Sequence, residues 1–258
     1  AKMLAWNAVA PLLRRVLPTR RGRVVGRAAI SAIYRIFWAC ARASGLMRMD
    51  ARSLDVLSLG ERYLRHLNRF VGDNVRGVVA EMAGSTDHLD RALADEAPFG
   101  RISFADACAL LEGAGTKGVL EPLPNGEVRI TASGERLLLE AVGDFTWLTH
   151  MPASTVPFYQ RTGSDGRTAL NADLLAGFGE ILGCGERVLT VQETLPNLAA
   201  QSVSPEPYGW YCEMKDRHPL ATAGFGMGIE RYLMWLTQRD DIRTLTLLRR
   251  HWGEDFVP

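Results

Sequence analysis

The sequence contains little cysteine and no paired cysteine motif. Only four cysteines occur among 258 residues, at widely separated positions: Cys40, Cys108, Cys184 and Cys212. No pair has the C-x-x-C spacing of a zinc site, and four scattered thiols do not make the dense framework of a disulfide-bonded domain. This usage is typical of a reducing compartment, so we expect a cytoplasmic protein.

An excess of one charge and a long hydrophobic run are also lacking. The formal net charge is +1, which gives no global reason to expect a nucleic-acid or anionic-membrane partner. No run reaches the roughly 18 apolar residues that span a bilayer. The first 43 residues are locally basic, but Pro11 and Pro18 interrupt them and no cleavage site follows. We interpret residues 26–43 as an ordinary amphipathic helix, and no membrane partner is expected.

Hydrophobic periodicity predicts an α+β fold. Helical spacing dominates the first half, where residues 53–71 form one apolar face and a helix begins after Ser103 and ends at Gly113. From Phe145 onward, aromatic-rich and alternating segments separated by glycines predict an antiparallel sheet. We therefore expect one domain over 1–258, in which helices flank the sheet and residues 72–145 form a helical insertion or connector.

The stretch AGFGMGIERYLMWL, residues 223–236, carries glycines at alternate positions into an amphipathic helix. Glycines at 224, 226 and 228 allow a ligand to approach the backbone closely. Arg231 falls in the first turn of the helix, where its planar guanidinium is suited to bind a phosphate. A dinucleotide-binding interpretation is not favoured, because the chain lacks the alternating βαβ pattern.

A second stretch, NADLLAGFGEILGCGER, places Asp173 and Glu180 seven residues apart and Arg187 seven further on. If this segment is extended and bends at its glycines, both carboxylates reach one site, where a hard cation such as Mg²⁺ would bind. Taken singly, each of these charges also fits a solvated surface residue. Three of the five histidines, His150, His218 and His251, are scattered and suggest no catalytic triad.

Together the two stretches resemble the class II aminoacyl-tRNA synthetases, in the aspartyl and asparaginyl branch. GFGMGIERYLMWLTQRDDIR is similar to motif 3 of that family, and FYQRTGSDGRTALNADLLAGFGEILGCGER is similar to the segment that precedes it. The resemblance covers roughly residues 97–250, with 26–43 as a plausible motif 1 helix. It implies a class II antiparallel sheet, and ATP and Mg²⁺ as cofactors.

The resemblance also implies roles for individual residues. Arg231, on the γ-phosphate, and Arg187, on the carboxylate of the amino acid, would be catalytic. ATP would contact Asp173, Glu180, Gly226, Gly228 and Arg231, and the metal would be held by Asp173 and Glu180. The amino-acid pocket would be formed by Tyr159, Cys184, Arg187 and Gly224. Cys184 stands where the family usually has glycine, so a narrower pocket and an altered substrate choice are expected.

The sequence departs from the family in several places. No strands of motif 2 are found between residues 43 and 53, so either the motif has been lost or that segment is not part of this sequence. Val156 replaces a basic residue before Phe-Tyr, and Ala221 and Thr222 replace Pro-His before the glycines. No anticodon-binding barrel is recognisable.

Three functions are compatible with these patterns. The leading hypothesis is a ligase that activates aspartate, asparagine or an analogue with ATP and passes the acyl group to an amine or ammonia, with tRNA an unlikely partner. The second is a tRNA-charging enzyme without an anticodon domain, and the third is an inactive paralogue with a regulatory or scaffold role. The apolar face from Ile30 to Phe37 predicts a homodimer through the motif 1 helix.

Overall fold

The computed structural model describes residues 56–245. The chain divides into two compact units, of which Ser53–Asp240 is the larger, and residues 241–245 belong to the other. The predicted motif 1 helix at 26–43, and with it the predicted dimer contact, lies outside the described residues. No helix within 56–245 is both long and apolar enough to cross a membrane. The assignment of 1–258 to one domain stays a prediction.

The described residues form helices and strands in a mixed order, beginning with three consecutive helices. The helices are α1 (Val56–Asn74), α2 (Arg76–Ala83), α3 (Asp87–Ala94), α4 (Phe104–Gly113), α5 (Ala132–Val142), α6 (Val191–Ala200), α7 (Gly209–Arg217) and α8 (Ile229–Thr237). The strands are β1 (Gly100–Ser103), β2 (Leu120–Pro122), β3 (Val128–Ile130), β4 (Thr146–Thr149), β5 (Asn171–Ala176), β6 (Gly179–Glu186) and β7 (Ala223–Met227). Short 3₁₀ turns occur at Ala153–Thr155, Glu206–Tyr208 and Ile242–Thr244.

Five of these strands form one sheet in the order β1-β4-β5-β6-β7. The β1–β4 pair is parallel, and the other three pairs are antiparallel. Strands β2 and β3 form a separate hairpin. A mainly antiparallel sheet flanked by helices confirms the predicted α+β class, although β1 shows that residues 72–145 also contribute a strand to the sheet.

The two faces of the sheet are covered differently. Residues directly opposite each other in a ladder share a face, so Trp147 and Leu182, which both pair with Leu174, point to the same side. Helix α1 covers that side, since a Cβ at Gly60 would lie 3.1 Å from Trp147 and 3.6 Å from Leu182. We call this the α1 face.

The opposite face is only partly covered. Leu148 and Leu175 point there and join a core cluster with residues of α4 and α5, among them Leu111 and Leu138. Ser103 caps α4 as predicted, since its hydroxyl accepts a hydrogen bond from the Asp106 amide at 3.1 Å. Beyond that cluster this face of β5, β6 and β7 carries the residues of the candidate site, and we call it the open face.

The attachment of α5 depends on a glycine. A Cβ at Gly134 would lie 2.3 Å from the carbonyl oxygen of Val119, too close for any side chain. We therefore expect Gly134→Ala to lower the free energy of unfolding by about 1–3 kcal/mol. The control is Gly113→Ala in α4, where a Cβ meets nothing within 4 Å and alanine should be neutral or stabilise by up to about 1 kcal/mol. Urea unfolding of both variants measures the difference, and equal effects would contradict the packing argument.

Candidate active site

Two rows of paired residues on the open face consist mostly of glycine. Asp173 pairs with Gly183, which pairs with Gly226, and Asn171 pairs with Gly185, which pairs with Gly224. We call Gly183, Gly185, Gly224 and Gly226 the glycine floor. Because these residues have no side chains, flanking polar groups lie directly over the backbone, as Gln160 does over the buried Gly185, whereas Gly226 is exposed and a Cβ there would meet nothing within 4 Å. A flat ligand can therefore lie directly on the backbone.

A β-bulge brings Glu180 to the same face as Asp173. Asp173 pairs with Gly183 and Leu175 pairs with Glu180, while Ile181 between them has no partner on β5. Since Asp173 and Leu175 are two residues apart, their partners share one face. Without the extra residue, Glu180 would point to the α1 face, so the bulge is what brings the two carboxylates together.

The two carboxylates converge above Gly183. A Cβ at that position would lie 2.8 Å from Glu180 Oε1 and 3.1 Å from Asp173 Oδ1. The pKa of Asp173 is raised to about 8 by burial and then by the negative charges of Glu180 and Glu135, against which Arg231 acts to lower it. Repulsion between half-buried carboxylates is what a bound cation relieves.

These residues fit a magnesium ion that is also held by phosphate. Mg²⁺ is usually bound through one or two carboxylates together with the oxygens of a substrate and water. Among residues 56–245 there is no group of three or more His, Cys, Asp or Glu side chains arranged to hold a metal. The pair Asp173 and Glu180 would thus supply two protein ligands, and the remaining ligands would come from elsewhere.

Arg231 lies beside this pair, in the first turn of α8. Its Nη1 donates a hydrogen bond to the Glu180 carbonyl oxygen at 3.0 Å. Gly228 permits this position, because a Cβ there would lie 3.3 Å from Cβ and Cγ of Arg231. The side chain is otherwise exposed, so the remaining N–H groups of its guanidinium are available at the edge of the open face.

Arg187 marks the other end of the glycine floor. Its Nη1 donates to Gln160 Oε1 at 2.7 Å and its Nη2 to the Gly224 carbonyl at 3.3 Å. The guanidinium lies 5.0 Å from the centre of the Tyr159 ring. A Cβ at Gly224 would lie 3.3 Å from Nη2, so glycine leaves space for this arrangement. The structure therefore brings Arg187, Tyr159 and Gly224 together.

Cys184 does not lie with them. It is buried and pairs with Ala172 and Phe225, which places it on the α1 face, where the Phe225 ring contacts Tyr63 at 5.6 Å between centroids. The substrate-binding role predicted for Cys184 does not fit this position. The prediction came from the resemblance, since Cys184 stands where the family usually has glycine, whereas in the strand it points away from its neighbours Gly183 and Gly185, because adjacent residues of a strand point to opposite faces.

Three residues near the site were not predicted. Glu135 of α5 accepts a hydrogen bond from the Glu180 amide, and Gln160 holds Arg187. Lys215 of α7 is buried, with its Nζ 5.6 Å from the Tyr211 ring centre, and burial lowers its pKa. For Lys215 the available signal in the sequence was a lysine among aromatic residues. Glu135 and Gln160 gave no such signal, because each lies far along the sequence from the residue that it contacts.

Comparison with known proteins identifies the class. A family model described as tRNA synthetases class II (D, K and N) matches residues 51–251. Since this is most of the chain, the chain belongs to that family, and the resemblance inferred from the two motifs is confirmed. The segment proposed as motif 1, residues 26–43, lies outside the match.

Several of the similar proteins are asparagine–tRNA ligases. The chain is 30% identical over 192 residues to the asparagine–tRNA ligase of Thermosynechococcus vestitus, covering 72% of this chain and 41% of the relative. A probable cytoplasmic asparagine–tRNA ligase of Encephalitozoon cuniculi is 34% identical over 159 residues, covering 59% and 35%. The chain thus spans less than half the length of these relatives.

Solved structures give the same fold. The asparaginyl-tRNA synthetase of Pyrococcus horikoshii superposes with a TM-score of 0.69 at 24% identity, covering 79% of this chain and 47% of that one. The Entamoeba histolytica asparaginyl-tRNA synthetase in complex with asparaginyl-adenylate superposes with a TM-score of 0.67 at 26% identity, covering 79% and 46%.

These relatives correct one expectation. The view that tRNA is an unlikely partner is wrong, because the relatives are tRNA ligases. This expectation rested on the net charge averaged over the chain and on the lack of a recognisable anticodon-binding barrel. An average charge does not describe a local surface, and a sequence that spans less than half of its relatives carries no information on their other domains.

Proposed function

We propose that this chain contributes the amino-acid-activating site of an asparagine–tRNA ligase. The reaction joins the carboxylate of asparagine to ATP as an adenylate, with release of pyrophosphate, and then transfers the acyl group to tRNA. The observation that carries the proposal is the glycine floor with Arg187 at one end and Asp173, Glu180 and Arg231 at the other. The relatives described above, which are named for asparagine and tRNA, support the substrate and the acceptor.

The spacing of the charges supports this assignment. Gly185, beside Arg187, and Glu180 are five residues apart on β6, which corresponds to about 15 Å along a strand. A bound amino acid followed by the phosphates of ATP can therefore lie along the floor. We assign the amino acid to the Arg187 end and the phosphates to the end with the carboxylate pair and Arg231.

Each charged residue has a task in this reaction. Arg187 is held by Gln160 and Gly224, so it can direct its remaining N–H groups at the substrate carboxylate without reorganising. Arg231 can donate hydrogen bonds to phosphate oxygens as negative charge develops on them. Asp173 and Glu180 would hold Mg²⁺, which supplies further charge neutralisation on the phosphates. No nucleophilic side chain is required.

Transfer to ammonia or a small amine remains the second candidate acceptor. It uses the same adenylate and the same residues, so the described site does not separate it from tRNA charging, and the named relatives favour tRNA. A cytoplasmic location is part of the proposal and is supported by the name of the E. cuniculi relative.

The test is ATP–pyrophosphate exchange by the 258-residue chain with Mg²⁺, comparing asparagine, aspartate and no amino acid. We expect asparagine to give the fastest exchange, and Arg231→Ala to reduce it by about 100-fold or more, the order found when a donor to a developing negative charge is removed. The control is Arg129→Ala, which removes an exposed arginine that pairs with Glu121 in the β2–β3 hairpin.

Other outcomes select other functions. Exchange with aspartate alone would change the substrate, and exchange without charging of asparagine tRNA in a follow-up assay would favour the amine acceptor. Exchange unaffected by Arg231→Ala would remove this residue from the site. A folded protein that shows no exchange with any amino acid would overturn the proposal and favour the inactive paralogue.

A further inference from the structure

Glu135 connects helix α5 to the carboxylate pair across 45 residues of sequence. Its Oε2 accepts a hydrogen bond from the backbone amide of Glu180 at 3.2 Å. We propose that Glu135 is a positioning residue that fixes the backbone of Glu180, and through it the direction of the Glu180 carboxylate toward Asp173 and a bound cation. This inference rests on the proposed function, because the cation is the one that would accompany ATP.

The bulge explains why Glu180 needs outside support. An extra residue in one strand disrupts the ladder locally and leaves the backbone there without its regular partners. At Glu180 two side chains provide them: Glu135 accepts from its N–H, and Arg231 donates to its C=O. The N–H and the C=O of Glu180 belong to the two peptide groups on either side of its Cα, so both peptide groups are held in place. The two supporting side chains come from different helices, α5 and α8.

Gly179 makes the approach of Glu135 possible. A Cβ at Gly179 would lie 2.3 Å from Glu135 Oε2, and the φ angle of this glycine is +138°, a conformation that residues with side chains rarely adopt. Glycine at 179 therefore admits the Glu135 carboxylate next to the Glu180 amide. The hydrogen bond and the glycine together make one local device at the start of β6.

The placement is electrostatically unfavourable, which argues against a purely structural role. Glu135 is half-buried, and it adds a third carboxylate beside Glu180 and Asp173, where its negative charge helps to raise the pKa of Asp173. Like charges at close range destabilise a folded protein unless a cation compensates them. Arg231 supplies part of this compensation, and a metal ion would supply the rest.

The experiment compares Glu135→Ala, Glu135→Gln and the control Glu140→Ala. Glutamine keeps a carbonyl acceptor for the Glu180 amide, alanine does not, and Glu140 is an exposed glutamate of the same helix. For each variant we would measure the Mg²⁺ concentration at half-maximal ATP binding by calorimetry. We would also measure hydrogen exchange of the Glu180 amide by NMR without ligand.

We expect Glu135→Ala to raise the Mg²⁺ requirement by about 10-fold or more, the usual effect of losing a group that orients a metal ligand. The Glu180 amide should exchange faster in this variant, and Glu135→Gln should restore most of both properties. Thermal unfolding monitors the fold of each variant. A folded Glu135→Ala protein with wild-type Mg²⁺ dependence and amide exchange would overturn the proposal, as would a Glu135→Gln protein that behaves like Glu135→Ala.

The two proposals fail in different ways. If the wild-type chain does not bind ATP with Mg²⁺, the proposed function falls, and the amide-exchange comparison alone then decides the role of Glu135. Faster exchange in Glu135→Ala but not in Glu135→Gln would still support positioning of Glu180. Equal exchange in all variants would overturn it.

Discussion

Arg187→Ala is expected to lower kcat/KM for asparagine in the exchange reaction by about 100-fold or more, with KM for ATP changed less than about threefold. Two hydrogen bonds from a guanidinium to a charged substrate group are worth about 1.5–3 kcal/mol each. The structure supports a selective effect, because Arg187 lies at the end of the glycine floor away from the carboxylate pair. Separate titrations of asparagine and ATP measure it.

Arg187→Lys should not restore activity. The guanidinium reaches Gln160 and the Gly224 carbonyl with two different nitrogens, whereas an ammonium is a single point of charge that cannot reproduce this planar arrangement. The control is Arg217→Ala, an exposed arginine of α7 that pairs with Glu213, and it should leave both constants unchanged. If Arg187→Ala raised KM for ATP instead, the assignment of the amino acid and the phosphates to the two ends of the glycine floor would have to be reversed.

Asp173→Asn is expected to make the ligand-free protein more stable while it abolishes magnesium-dependent exchange. The pKa of Asp173 is raised from an ordinary 3.8 to about 8 in the folded protein. Between these values the folded state retains a proton that the unfolded chain releases, so the free energy of unfolding falls as the pH rises from about 4 to 8. The asparagine side chain of the Asp173→Asn variant does not ionise, so the variant does not lose stability over this pH range.

The expected gain at pH 8 is about 1–3 kcal/mol, less than the whole shift would give because water reaches the half-buried group. The gain should shrink toward zero near pH 4, which urea unfolding at both pH values measures. Asp165→Asn is a control of opposite sign: hydrogen bonds from Thr168 and Arg167 lower the pKa of Asp165 to about 2. The Asp165→Asn substitution should therefore not stabilise the protein at pH 8. A less stable Asp173→Asn protein at pH 8 would show that the carboxylate supports the fold.

Part of the site was readable from the sequence because its signals are local. Alternate glycines running into a helix predicted a bare strand followed by Arg231, and the structure has both. The spacing of Asp173 and Glu180 suggested one shared site on condition that the segment bends. The structure meets that condition with a turn at Gly177 and Phe178. The bulge at Ile181, which turns Glu180 to the same face as Asp173, was not predicted, because isoleucine is an ordinary strand residue and nothing in the sequence marks this one.

The rest depended on long-range pairing. Whether Cys184 or Gly183 points toward Asp173 is decided by the register between β5 and β6, and a shift of one residue reverses the answer. Glu135 reaches Glu180 only after α5 has packed onto the sheet. Its position in the first turn of a helix predicts no more than a favourable charge near the helix N-terminus. Neither fact is encoded in a short window.

Side chains along β6 alternate between the two faces of the sheet, and the bulge at Ile181 shifts this alternation by one residue. The strand therefore has two phases of alternation, one on each side of Ile181. From Gly183 onward the odd-numbered positions of β6 face the site, whereas Glu180, an even-numbered position, faces it on the other side of Ile181. Substitutions within either phase can adjust the pocket gradually. A change of one residue in length between Gly179 and Gly183 would bring the phases into agreement and turn Glu180 away, so the length of this short segment is constrained more tightly than its composition.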